Sequence, residues 1–278
     1  MNTNKVIAKF DTFEEFVRQA LVVPKRQDSC SSRQKSWGTP PWHGTDKFEE
    51  AVELARRGWP EGSAKALEFR ASIADAVREI ITSRSQSVSY DVSGQWVDIG
   101  RYLDGEPECF GNLEATGDTA SQPVVKLYVN LAASGAVSVE SLFARGAVIL
   151  AAIDVLEATG RRVEVIAAKG SRGRTIHETY VTIKRADQPV DADRLAFVLA
   201  HAACLRRLFF SVMEQAGHLP NSTYPHQISV FEEGAIVTGH ALRGRDFTKS
   251  ELLREVAAIC GQAGVEIPEE EIQRLVAS

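Results

Sequence analysis

The chain has 278 residues, a formal net charge of −5, 44% hydrophobic residues and 25% charged residues, which is ordinary usage for a globular protein with a sizeable core. The acidic balance excludes a uniformly basic, histone-like protein, so any contact with nucleic acid requires cations gathered locally. The four cysteines show no CxxC spacing, which argues against a disulfide framework or a cysteine-rich zinc site and indicates reduced thiols.

The first residues form a polar, acidic helix pattern instead of the continuous apolar stretch of a signal peptide. The most apolar stretch, residues 137–156, contains too many polar and charged side chains for a bilayer span. We therefore expect a cytoplasmic protein without membrane contact.

Residues 1–120 are predicted to be a helical N-terminal region that ends in an acidic hairpin. Thr12 and Glu15 form a Thr-x-x-Glu capping box, and the helix that follows should end before Pro24. Two further helices are expected, from Asp46 to Arg57, where Gly58 ends the helix, and from Ser63 to about Ser83.

Residues 24–44 separate the first two of these helices. They are rich in Ser, Pro, Gly and cations and show no hydrophobic period, which predicts a long, mobile connection. Its cations lie beside two tryptophans, a mixture that suits a single nucleic-acid strand but is also common in solvated linkers. The side chains concerned are Lys25, Arg26, Arg33, Lys35, Trp37 and Trp42.

Residues 86–118 are predicted to be a strand, a turn at Ser93-Gly94 and a second strand, followed by a loop. The segment carries seven carboxylates and one cation, Arg101, so it should form an acidic surface. The carboxylates are Asp91, Asp98, Asp104, Glu106, Glu108, Glu114 and Asp118.

Residues 121–278 are predicted to be an α+β sandwich domain. The pattern from Pro123 onward has the order β-α-β-β-α, which predicts an antiparallel sheet with helices on one face, as in ferredoxin-like folds, and an open second face. The C-terminal part adds two short strands around Glu233-Gly234 and a helix capped by Thr248 and Glu251.

The hairpin at 161–185 is the strongest electrostatic feature, with seven cations and two carboxylates. Its KGSRGR turn combines cations with glycines, which could approach phosphates closely, and a tyrosine on the next strand offers a stacking surface. The alternative is a solvated turn whose cations protect an edge strand. The candidate contacts are Lys169, Arg172, Arg174, Tyr180, Lys184 and Arg185.

A second candidate group lies near Phe247 and comprises Arg243, Arg245 and Lys249. Arg206, Arg207, Phe209 and Phe210 fall inside a long predicted helix, where phenylalanines are usually core residues.

The chain lacks the patterns of the common catalytic and cofactor sites. No segment fits GxxxxGK[ST], GxGxxG, HExxH or GxSxG, so we expect neither an enzyme nor a cofactor. A weaker alternative is a metal site formed by the carboxylates of Asp98, Asp104, Glu106 and Glu108.

Three segments, residues 59–62 (WPEG), 90–108 and 144–165, resemble an uncharacterised protein family of tailed-phage genomes. Within it the chain is similar to the Drc group of podophages that package a virion RNA polymerase. That resemblance implies a sequence-tolerant, homo-oligomeric single-stranded DNA-binding protein, which presents melted promoter DNA to a phage RNA polymerase in the infected bacterial host. It carries over no functional residue.

The sequence therefore predicts a single-stranded DNA-binding accessory factor for transcription. The alternatives are a protein-interaction or scaffold protein that does not touch nucleic acid and, third, a metal-dependent hydrolase that uses the acidic loop.

Overall fold

The computed structural model describes residues 4–24, 30–67, 86–94, 96–115, 124–217, 223–238 and 246–277. They form a mixed α+β fold with one large sheet and a separate three-stranded sheet. The strands are β1 (Lys5–Phe10), β2 (Gln86–Asp91), β3 (Trp96–Val97), β4 (Phe110–Ala115), β5 (Val124–Asn130), β6 (Arg162–Arg172), β7 (Ile176–Lys184), β8 (Tyr224–His226) and β9 (Ile236–Thr238).

The longer helices are α1 (Phe13–Leu21), α2 (Phe48–Arg57), α5 (Val139–Ala158), α6 (Ala192–Ala200), α8 (Lys249–Gln262) and α9 (Glu269–Ala277). Shorter ones are α4 (Ile99–Leu103) and α7 (Phe210–Gln215), which continues a π-helix at Cys204–Phe209. Helix α3 begins at residue 60 and is described as far as residue 67.

The large sheet has the order β1-β7-β6-β5-β9, with β8 also paired to β6. The pairs β1/β7, β5/β6 and β5/β9 are parallel, whereas β6/β7 and β6/β8 are antiparallel. Helix α5 brings the chain back to the end of the sheet at which β5 begins, so β6 runs alongside β5 in the same direction. The predicted antiparallel, ferredoxin-like sheet is therefore wrong, although the α+β class is confirmed.

The N-terminal part begins with a strand. Strand β1 pairs with β7 from Lys5 opposite Ile176 to Phe10 opposite Val181. Helix α1 then begins where the capping box predicted, with the Thr12 hydroxyl accepting a hydrogen bond from the Glu15 amide at 3.2 Å. The division at residues 120 and 121 stays a prediction, but elements from both sides of it share one sheet.

One face of the large sheet carries the main core. Helices α1, α2, α5, α6 and α8 all contribute buried side chains to it, together with strand residues such as Leu127 and Val181. On the opposite face, Tyr128, Ile166 and Tyr180 pack against Ile228, which is 2% exposed. The segment around Ile228 therefore covers part of the face that was predicted to be open.

The small sheet has the order β2-β4-β3, so the two strands predicted to form a hairpin at Ser93-Gly94 both pair with β4 instead. Residues 99–103 form α4, whose start is capped by the Asp98 carboxylate, because a carboxylate that accepts backbone N–H bonds favours a helix start over a continuing strand. Near the C-terminal end, β9 and the Thr248/Glu251 capping box are confirmed, but residues 227–233 form no strand.

Among the described residues, no single helix is long and apolar enough to cross a membrane. Helices Ala192–Ala200 and Cys204–Gln215 meet that test of length and composition only as a pair, bent by 62°.

Candidate nucleic-acid interface

A cavity of about 280 Å³ opens where β5 ends and its loop leads into α5. Residues 132–135, 169–171 and 223–225 line it, together with Trp42, Arg206 and Phe210. Strand β5, helix α5 and strand β6 form a parallel βαβ unit, and ligands of such sheets bind beyond the carboxyl ends of the strands. The position of the cavity thus suits a binding site.

Lys169 lies in the cavity because of the alternation along β6. Val163, Val165 and Ala167 belong to the main core, and side chains two residues apart share a face of the sheet. Lys169 therefore continues a row of core positions, and its side chain is 6% exposed. Its Nζ lies 3.1 Å from the Sδ of Met213 and 5.2 Å from the ring centroid of Phe210.

Burial lowers the pKa of Lys169 to about 7. The nearby Glu214 carboxylate acts in the opposite direction, but it accepts hydrogen bonds from the Ser32 amide, at 3.0 Å, and from the Ser32 hydroxyl. Within the part of the chain that the structure describes, the thioether of Met213 is the one hydrogen-bond acceptor of Nζ. A thioether is a weak acceptor. An anion in the cavity would therefore provide the strong hydrogen-bond acceptor that the Lys169 amine lacks.

Gly170 has a structural role in this strand. A Cβ at this position would lie 2.3 Å from the carbonyl oxygen of His226, because β8 pairs with β6 here. The glycine therefore permits the approach of β8, so its presence in the KGSRGR sequence is explained without a phosphate.

Two tryptophans form a stack at the rim of the cavity. The rings of Trp37 and Trp42 lie 4.5 Å apart with an interplanar angle of 13°, and the guanidinium of Arg206 lies 4.1 Å from the Trp42 ring. The indole N–H of Trp42 donates to the carbonyl oxygen of Gly135 at 2.8 Å. Trp37 is 53% exposed, so its ring extends this anchored stack toward solvent.

Arg206 and Arg207 hold the segment that carries the tryptophans in place through hydrogen bonds to its backbone. Arg206 donates to the carbonyl oxygens of Trp42 and Val137, each at 2.5 Å. Arg207 donates to four carbonyl oxygens of the segment at 2.7 to 2.9 Å, those of Ser32, Gln34, Thr45 and Asp46. The prediction of a mobile connection is therefore wrong for residues 30–44, while residues 25–29, including Lys25 and Arg26, lie outside the described part.

Burial lowers the pKa of each of these guanidinium groups to about 10. Both stay protonated at neutral pH, which leaves two buried cations that contact carbonyl dipoles. Arg206 and Arg207 are 1% and 0% exposed. Their role is therefore to hold the residues of the site in place, and they are not accessible to a nucleic acid at the surface.

An exposed cation and an exposed ring face each other across β6 and β8. Arg172 lies opposite Tyr224 in the antiparallel ladder, and the side chains of such a pair lie on the same face of the sheet. Tyr224 is 78% exposed and lines the cavity. Arg174 follows in the same turn and is also exposed.

Two predicted contacts are buried inside the fold and do not lie on this surface. Tyr180 is 4% exposed and donates to the Glu178 carboxylate, so its ring is not available for stacking. Lys184 is 3% exposed, pairs with Glu157 at 2.6 Å and donates to the Val163 carbonyl at 2.8 Å. We correct the prediction for both side chains, because their partners lie inside the fold.

Arg185 is exposed but lies at the far end of the hairpin. Nine residues separate it from Ile176, which pairs with Arg172, and a strand of that length spans roughly 30 Å. The cations of the hairpin thus form two separate groups instead of one patch.

Of the second candidate group, Arg243 and Arg245 lie outside the described residues. Lys249 is exposed at the first turn of α8. The residues just before it contact the start of α5, where the Asp246 carboxylate accepts from the Ser138 amide at 2.8 Å and the Phe247 amide donates to the Ser141 hydroxyl at 2.9 Å. Lys249 therefore follows a segment that contacts the end of the loop lining the cavity.

Among the described residues, no group of three or more His, Cys, Asp or Glu side chains is arranged so that it could hold a metal ion, and this includes the acidic segment. Asp98 caps α4 and accepts from the Tyr90 hydroxyl at 3.0 Å, and Arg101 pairs with Glu106 at 3.2 Å. Helix α4 instead exposes large apolar side chains beside these carboxylates: Ile99 is 71%, Tyr102 65% and Leu103 77% exposed.

Residue types alone did not identify Ser171, Tyr224 and Arg206 as neighbours of Lys169. The burial of Lys169 could have been recognised from the alternation of Val163, Val165, Ala167 and Lys169, because this lysine stands in a row of core positions, where charged side chains are rare. Tyr224 carries no comparable signal, since its place depends on the pairing of β8 with β6.

No curated protein and no solved structure matches the chain. A family model does match, over residues 1–231, and its description is a domain of unknown function, DUF7192. Since the match covers most of the 278 residues, the chain belongs to the DUF7192 family.

Proposed function

We propose that the protein binds single-stranded DNA with little sequence preference and acts without catalysis. The observation that carries this proposal is a cavity lined by Lys169, Trp42 and Tyr224, with the exposed Trp37 stacked on Trp42 and the exposed Arg172 paired with Tyr224 across the strands. The surface comprises Trp37, Trp42, Arg172, Arg174 and Tyr224, and below it is called the aromatic surface.

Single strands fit this surface better than duplexes. Unpaired bases stack on exposed aromatic rings irrespective of their identity, while cations neutralise the phosphates between them. In a duplex the base faces are covered, so Trp37 and Tyr224 would contribute nothing. The net charge of −5 adds repulsion away from the surface.

We extend the proposal to a transcription accessory factor that contacts an RNA polymerase through the acidic segment. Its support is the exposed apolar side chains of α4, followed directly in the chain by the exposed carboxylates of Asp104, Glu106 and Glu108, since apolar anchors with a charged rim are typical of protein interfaces. Loss of polymerase recruitment on neutralising these three carboxylates would support it; unchanged recruitment would refute it. Homo-oligomerisation is part of the proposal, and the exposed Val6 and Ile7 on β1 offer an edge for it.

The same apolar surface favours a second function, a protein-interaction role without nucleic acid. The two functions differ in one property, which is salt-dependent binding to oligonucleotides.

Fluorescence anisotropy with labelled oligothymidylate and a duplex of equal length, each at two salt concentrations, tests the proposal. We expect tighter, salt-sensitive binding to the single strand, weakened roughly five- to 150-fold by Trp37→Ala, because stacking of one base contributes ~1–3 kcal/mol. Trp96→Ala, on the separate small sheet, is the matched control and should leave affinity unchanged. Absence of binding at low salt would refute DNA binding and favour the interaction role.

A further inference from the structure

We infer that the cavity beside Lys169 is a nucleotide site, in which the amine of Lys169 binds the phosphate of one nucleotide. This inference rests on the proposed function and deepens it, because it names a chemical group and a place for it.

The first argument is the state of the Lys169 amine. The amine is buried and has a thioether as its acceptor among the described residues, and Lys169 is one of the residues that line the cavity of about 280 Å³. Lys184 provides the contrast, since this equally buried lysine contacts a carboxylate and two carbonyl oxygens. Buried ammonium groups in folded proteins have such partners. An anion that enters the cavity would therefore give the Lys169 amine the kind of partner that Lys184 already has.

The second argument is the chemistry of the walls. Hydroxyl groups of Ser134, Ser171 and Thr223 provide hydrogen bonds, while Trp42 and Phe210 provide aromatic surface. Small-molecule sites combine apolar walls with a few polar groups in this way. A phosphate next to a flat base uses both kinds of wall, whereas a bare inorganic anion uses one.

The third argument is size. Sites for small ligands have volumes of roughly 300–1,000 Å³, and the cavity of about 280 Å³ lies at the lower end of this range, so it has room for no more than about one nucleotide. A run of nucleotides would have to continue over the aromatic surface outside. The occupant is thus a free mononucleotide or one nucleotide of a bound strand.

Calorimetric titration with thymidine monophosphate, thymidine and inorganic phosphate tests the inference. We expect the monophosphate to bind more tightly than either fragment, and Lys169→Met to weaken it about tenfold or more, the usual effect of losing a hydrogen bond to a charged group. Lys184→Met is the control, because it removes a buried lysine that does not line the cavity. Equal affinity of the wild type and Lys169→Met for the monophosphate would overturn the inference.

A second measurement needs no variant. Reductive methylation of the wild-type protein, read by peptide mass spectrometry, should be slowed at Lys169 by thymidine monophosphate and not by thymidine. Unchanged methylation at a saturating monophosphate concentration would overturn the inference.

Oligothymidylates with and without a 5′-phosphate then identify the source of the nucleotide. Tighter binding of the phosphorylated strand, abolished by Lys169→Met, supports a strand end in the cavity. If oligothymidylate binds but the monophosphate does not, the nucleotide site is refuted while single-strand binding stands; if neither binds, both fail.

Discussion

The Nζ of Lys169 lies 3.1 Å from the Sδ of Met213, and the Ser171 hydroxyl lies at the same distance from that sulfur. Two polar groups on one face of β6 thus share one weak acceptor at the edge of the core. Such an arrangement costs stability in the empty protein, and stability given up locally is typical of binding sites.

Lys169→Met should therefore stabilise the empty protein. We expect the free energy of unfolding to rise by about 1–3 kcal/mol, since the substitution removes a poorly solvated amine and keeps the volume of the side chain. Lys184→Met should lower it by about 2–3 kcal/mol, because the Glu157 carboxylate would lose its cationic partner. Urea unfolding of the three proteins measures both changes, and a destabilised Lys169→Met protein would contradict the description of this site.

The stability difference between Lys169→Met and the wild type should depend on pH. The pKa of Lys169 is about 7 in the folded protein and 10.5 in a model compound. Between these values the unfolded chain binds more protons than the folded one, so wild-type stability rises with pH relative to the variant. The difference should be largest at pH 6 and shrink steadily toward pH 10. Urea unfolding at several pH values gives it, and a constant difference would show that the pKa is not lowered.

Arg207→Met should release the segment around residues 30–47. The substitution leaves four carbonyl oxygens without their donor, so we expect a loss of about 3 kcal/mol or more. Hydrogen exchange should accelerate in this segment before it does so in β6 or β7. Arg56→Met, an exposed arginine of α2, is the control. Unchanged exchange in residues 30–47 would contradict the role given to Arg207.

Replacing Arg172 and Arg174 together by Ala should weaken single-strand binding and flatten its salt dependence. Each phosphate contact contributes roughly 0.7 to the slope of log K against log salt concentration for single strands, so the slope should fall by about 1.4. Arg185→Ala, at the other end of the hairpin, should leave the slope unchanged. An equal effect of Arg185→Ala would move the interface away from the aromatic surface.

The sequence predicted local features better than their assembly. The N-cap at Thr12, the capping box at Thr248 and the end of α2 at Gly58 are confirmed, since the signals lie within a few residues of each other. The parallel pairing of β5 with β6 and the place of β4 between β2 and β3 depend on contacts between distant segments. The hydrophobic period of a segment indicates that it forms a strand, but it does not predict which strand it pairs with.

The same limit applies to the candidate site. Arg172 and Arg174 were recognised by their charge, and Lys169 was selected as a cation of a hairpin turn, whereas it lies buried within β6. The burial of Tyr180 followed from Ile228, some fifty residues away in the chain. Likewise, the ordering of residues 30–44 depends on Arg207, which no composition rule connects with a Ser- and Pro-rich segment.

Photo-crosslinking of an oligonucleotide that contains 5-iodouracil, followed by mass spectrometry of the attached peptides, tests the central claim most directly. Iodouracil couples to aromatic rings on which it stacks, so we predict crosslinks at Trp37, Trp42 or Tyr224 that disappear at high salt. Crosslinks confined to Trp96 or Tyr102, on the small sheet and α4, would contradict the assignment of the aromatic surface as the DNA interface.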